Sequence, residues 1–60
     1  MDKVYVVLVH GFDSAYNAST YVDGVYRIKE DAEEREISLG KENKDSDYFN
    51  YAEIDECFVR

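Results

Sequence analysis

The sequence predicts one small α+β domain of order ββαβ, a three-stranded sheet in spatial order 2-1-3 with one helix on one face. Three observations predict it. Val4-Tyr5-Val6-Val7-Leu8-Val9 is an unbroken β-branched and aromatic run, the clearest strand signal in the chain. Lys29 to about Ser38 is the one stretch rich in strong helix formers. At 60 residues the chain has room for a single domain, 1–60, and little else.

Strand one does not alternate. Val4, Val6 and Leu8 point one way and Tyr5, Val7 and Val9 the other, so both sides are apolar, the pattern of a central strand. Gly11, Asp13, Ser14 and Asn17 mark a turn. A second strand is expected at about Ser19–Arg27, with a bend or bulge at Asp23-Gly24. The short connection makes it an antiparallel neighbour of strand one.

The helix opens with Glu30, Asp31, Glu33 and Glu34, acids that suit the positive end of a helix dipole. Ile28, Ala32 and Leu39 fall on one stripe, a weak amphipathic face, and Gly40 is the expected C-cap. An Asp31–Arg35 pair at i,i+4 is expected to balance part of the acidic face. Tyr48–Phe58 is the third strand, with Tyr48, Ala52, Ile54 and Phe58 on one side and Phe49, Tyr51, Glu53, Asp55 and Cys57 on the other. A right-handed crossover from strand two through the helix places strand three beside strand one.

One helix can cover only one face of such a sheet. The face left open is expected to carry Tyr5, Val7, Val9, Phe49 and Tyr51, and an exposed apolar face marks an interaction site. So short a chain hides only about 60% of its unfolded surface. Its single cysteine, Cys57, forms no internal disulfide. Self-association as a homodimer is therefore expected to close the open face.

Charge is lopsided. Residues 1–29 carry three acids and three bases, whereas residues 30–60 carry eleven acids against four bases, so the whole net charge of −7 lies in the second half. Such a surface repels nucleic acid, whose binding depends on cationic contacts to phosphate. It attracts proteins with basic surfaces. Glu30, Glu33 and Glu34 are the expected electrostatic contacts and Tyr16, Tyr21, Tyr48 and Tyr51 the expected aromatic anchors. The bland alternatives are a solvated helix face and ordinary cross-strand packing. A phosphate-mimicking role in place of DNA is the competing reading of the same acids. A ligand or catalytic site at the dimer seam is a third.

Catalytic and cofactor signals are weak. Val7-Leu8-Val9-His10-Gly11-Phe12 has the strand-then-His-Gly form of an α/β-hydrolase oxyanion segment, but no Gly-x-Ser-x-Gly elbow and no second histidine accompany it. A Cys57–His10 dyad is not expected, because the two fall near opposite ends of paired strands. His10 reads as a surface residue at a strand end. His10 and Cys57 are the only residues of their types, which excludes a Cys/His zinc site within one chain. Asp45, Asp47, Glu53 and Glu56 fit positions 1, 3, 9 and 12 of a calcium loop, but Asn50 stands where glycine is needed. No enzyme activity, cofactor or metal is expected. No apolar run approaches the roughly 20 residues of a membrane span. Met1-Asp2-Lys3 leading into a β-type run does not read as a signal peptide, so a cytoplasmic location is expected.

Three segments, Lys3–Val7, Asp23–Glu33 and Tyr48–Asp55, together resemble a class of short uncharacterised proteins of bacteria, phages and mobile elements. The resemblance implies a strand–strand–helix–strand fold and no known active site. Members of that class carry Ser or Thr before the helix, where this chain has Ile28. By analogy with short acidic phage proteins, it implies an anti-defence type of inhibitor that binds a bacterial defence or housekeeping protein in the host cytoplasm.

Overall fold

A computed structural model describes residues 2–59. Strand β1 (Asp2–Phe12) pairs antiparallel with β2 (Ala18–Tyr26) on one side and β3 (Phe49–Val59) on the other, giving order β2-β1-β3. Helix α1 (Lys29–Glu42) joins β2 to β3 across the sheet. The ββαβ order and the 2-1-3 sheet follow the sequence expectation. β1 is central because it alone is apolar on both sides. β1 and β3 are each longer than the apolar runs that mark them.

Two bulges set the faces. On β2, Gly24 pairs with Val7 and Val22 with Leu8, which leaves Asp23 as the extra residue. On β3, Tyr51 pairs with His10 and Phe49 with Gly11, which leaves Asn50 extra. A bulge changes which side the following residues face. Phe49 is thereby turned to the helix side, whereas simple alternation would leave it beside Tyr51.

The helix covers Val7 and Val9, and this corrects the expected open face. Val7 is fully buried and Val9 is 4% exposed; they form the core with Ala32 and Leu39 of α1. Tyr5, Tyr26, Phe49, Ala52 and Ile54 pack around that core. Tyr5, Val7, Val9 and Phe49 therefore lie beneath α1, and of the five residues expected on the open face only Tyr51 is there. The open face is instead Val4, Val6, Leu8 and His10 of β1, flanked by Val22 and Val25 of β2 and by Tyr51, Glu53, Asp55 and Cys57 of β3.

The helix begins at Lys29 after Ile28, whose side chain gives no cap, and Glu30 and Asp31 complement its first turn. It runs beyond the expected end, through Gly40 to Glu42, because no glycine adopts a positive φ and Asn43 closes the helix instead. The Asn43 side-chain amide donates to the Leu39 carbonyl at 2.9 Å, and its backbone N–H donates to the same oxygen at 3.1 Å. Gly40 is thus an exposed helical residue, and a Cβ there meets nothing within 4 Å. Gly40→Ala is expected to raise stability by about 0.5–1 kcal/mol, read as a higher urea midpoint, by limiting the unfolded chain.

Arg35 does not pair with Asp31. Its guanidinium grips Asp23 with two bonds, 2.7 Å from Nε and 3.1 Å from a terminal nitrogen, and reaches Glu42 at 3.2 Å. The β2 bulge supplies this partner, so the interaction pins α1 to the sheet edge. The hydrogen bond from Arg35 holds the Asp23 carboxyl below its ordinary value of 3.8. A depressed carboxyl contributes stability that is present above its unfolded pKa and lost as pH falls through the folded one. The gap in urea midpoint between the wild type and Asp23→Asn is expected to be full at pH 7 and to shrink below about pH 4. A gap independent of pH contradicts the ion pair.

Candidate interaction surface

The expected contact residues separate into three places. Glu30, Glu33 and Glu34 are exposed on the first turns of α1. Tyr16, Tyr21 and Tyr48 gather beyond its C-terminal end, about 20 Å away at 1.5 Å per residue. Tyr51 lies on the opposite side of the sheet. They do not make one contiguous epitope.

The open face combines an apolar strip with a polar island. Val4, Val6 and Leu8 are only partly covered on the central strand, and Val22 and Val25 are 56% and 58% exposed on β2. Beside them, His10 bridges both neighbouring strands. Its Nδ1 is 3.0 Å from the Thr20 hydroxyl and its Nε2 is 2.6 Å from the Glu53 carboxylate. Its ring stacks on Tyr51 with centroids 4.6 Å apart. His10 is thus half-buried within β1, not at a strand end, and all its polar atoms are engaged.

A hydroxyl, an imidazole and a carboxylate in series invite comparison with a nucleophile–base–orienter chain. The geometry serves alignment better. The three side chains stand side by side on the open face of the sheet, and none of them lines the groove on the helix side. Cys57 pairs with Val4, six positions along β1 from His10 or about 20 Å at 3.3 Å per residue, so no Cys–His dyad forms. The His10–Glu53–Thr20 island is not visible in the sequence because its members are far apart in the chain; only the strand register could have signalled it.

A groove of about 140 Å³ lies on the helix side, between the C-terminal end of α1 and the β1–β2 end of the sheet. Phe12, Tyr21, Tyr48 and Phe49 form its aromatic wall. Tyr16 stacks on Tyr48 from outside, centroids 5.7 Å apart, and holds a left-handed φ of 60°. Asp13 shapes the loop that carries Tyr16, its carboxylate accepting from the Ala15 and Asn17 N–H groups at 2.9 and 3.0 Å.

Neither a family model nor a curated protein nor a solved structure matches the chain. No helix among the described residues is long and apolar enough to cross a membrane.

Proposed function

We propose that this chain is a non-enzymatic, acidic protein-binding module that acts by stoichiometric binding as a homodimer, its partner a protein with a basic surface. The observation that carries the reading is the sheet face that α1 leaves uncovered. Val4, Val6, Leu8, Val22 and Val25 give it an apolar strip, while among the described residues the core between α1 and the sheet has only four buried side chains. Two such faces stacked back to back would cover the strip on both copies, and exposed apolar faces of this kind mark interaction sites. The net charge of −7 and the exposed helix acids support the choice of a basic partner. Binding that disables the partner is the mode of action suggested by analogy with short acidic phage proteins.

Sedimentation velocity tests the dimer. The wild type is expected to sediment as a dimer at tens of micromolar, and Val22→Lys with Val25→Lys as a folded monomer, since both positions are on an edge strand and already half exposed. A wild type that stays monomeric throughout that range removes the proposal's support. Capture from bacterial lysate tests the partner: retention is expected to fall when salt rises from about 0.1 to 1 M and the Debye length drops from about 10 to 3 Å.

A further inference from the structure

We infer that the aromatic groove at the C-terminal end of α1 is a receptor for an arginine side chain of the basic partner. This deepens the reading above and rests on it. Four features of the groove converge on a cation.

The first is its wall. Phe12, Tyr21, Tyr48 and Phe49 line it, with one face of the Tyr48 ring stacked on Tyr16, and the faces of aromatic rings attract cations, guanidinium most readily among side chains because it also stacks. The second is position. The groove includes Asn43, the residue that caps α1, so it sits at the negative end of the helix dipole. The third is hydrogen-bonding character. The lining contains no basic side chain and offers acceptors: the hydroxyl of Ser19, the Ser46 oxygen, which accepts one bond from the Tyr48 N–H at 3.2 Å, and the carbonyl of the Asn43 side chain, whose NH₂ is already given to Leu39. The fourth is the surrounding charge. Asp13, Asp45 and Asp47 stand next to lining residues in the chain, against Lys44, while Glu42 is already paired with Arg35.

Size separates an arginine from a free small molecule. Pockets for drug-sized ligands run to about 300–1,000 Å³. This groove, about 140 Å³, is several times the roughly 30 Å³ share of one water. It suits the head and upper stem of one long side chain. The backbone at Tyr16 agrees with a formed site, since a non-glycine residue in the left-handed region is uncommon and here its ring is stacked on the groove's outer wall. The groove lies on the helix side of the sheet, so a dimer joined through the open face leaves it accessible.

The test is an NMR titration of the full chain with a blocked arginine tripeptide, its lysine counterpart and its neutral citrulline counterpart. The arginine peptide is expected to shift the amides of Tyr21, Asn43, Ser46 and Tyr48, the lysine peptide to bind more weakly, and the citrulline peptide not to bind. Tyr48→Leu is expected to weaken arginine-peptide binding on the order of fivefold. Tyr21→Leu, at a position 56% exposed, supplies a second variant whose folding is not at risk. Glu30→Gln with Glu33→Gln and Glu34→Gln is expected to leave this binding within about twofold, because those acids lie beyond a Debye length. Shifts centred on Glu30, Glu33 and Glu34 and indifferent to both tyrosine variants overturn the groove while leaving a basic partner in place. Equal binding of the citrulline peptide overturns cation recognition. Absence of arginine-peptide binding at every site overturns both.

Discussion

Leu39→Ala is expected to lower the unfolding free energy by about 2–3 kcal/mol, within the range for buried leucines truncated in cores. Leu39 is 4% exposed, and with Ala32 it is one of only two α1 residues that reach the core. They are seven residues apart, two helical turns, so each secures its own part of the helix. A domain of this size draws about 3–5 kcal/mol from its core. Removing one of the two anchors therefore takes away half or more of that stability. The Arg35–Asp23 clamp and the Phe49 ring remain, but neither refills the space left by an isobutyl group. Urea unfolding followed by circular dichroism is expected to show a midpoint reduced by about half, with part of the population unfolded before urea is added. A dimer raises the midpoint with protein concentration, so wild type and variant are compared at equal concentration. A loss below about 1 kcal/mol places the dominant packing somewhere other than the helix–sheet seam.

Gly11→Ala is expected to cost about 3 kcal/mol, for a different reason. A Cβ on Gly11 falls 2.0 Å from the Tyr48 carbonyl oxygen and 3.1 Å from its carbon. These are backbone atoms and cannot rotate aside. The Phe12 N–H donates to the same carbonyl at 2.7 Å, which holds β1 and the start of β3 together. The Asn50 bulge lies beside this contact and turns Phe49 under the helix. Accommodating the methyl requires the strands to part at the bulge, breaking that bond and displacing Phe49 from the core edge, a strain at the upper end of overpacking costs. The groove wall formed by Phe12, Tyr48 and Phe49 is expected to open as well. Gly40→Ala provides the contrast, the same added methyl raising stability where it meets only solvent. If both changes have the same sign, close strand approach at Gly11 is not what selects glycine there.

Much of the architecture is legible in the residues. Val4–Val9 has no polar side, which requires a central strand, and the breakers at Gly11–Asn17 require a tight antiparallel return. Asp23-Gly24 signals a bulge, and Asp23 is the extra residue. The expected C-cap at Gly40 failed because its signal is local: glycine favours a left-handed cap but also tolerates a helix, and the Asn43 side chain provides a competing closure. Asp31–Arg35 failed similarly. Helical spacing permits that pair, but two bonds from a bulged β2 carboxylate outweigh one exposed i,i+4 contact.

The candidate surfaces were legible only in kind. Sequence alone determined that a three-stranded sheet with one helix has a face to spare, that the tyrosines and acids are numerous, and that the whole net charge of −7 lies in the second half of the chain. Which face is spare, and which side chains meet, was decided by tertiary structure. β1 is apolar on both sides, so its own pattern holds no preference. The choice fell to Ala32 and Leu39 docking on Val7 and Val9, and to two bulges that each shift register by one residue. A one-residue shift exchanges the faces of a strand. That is why Phe49 lies beneath the helix, Tyr51 stacks on His10 across the sheet, and three distant residues meet as Thr20, His10 and Glu53.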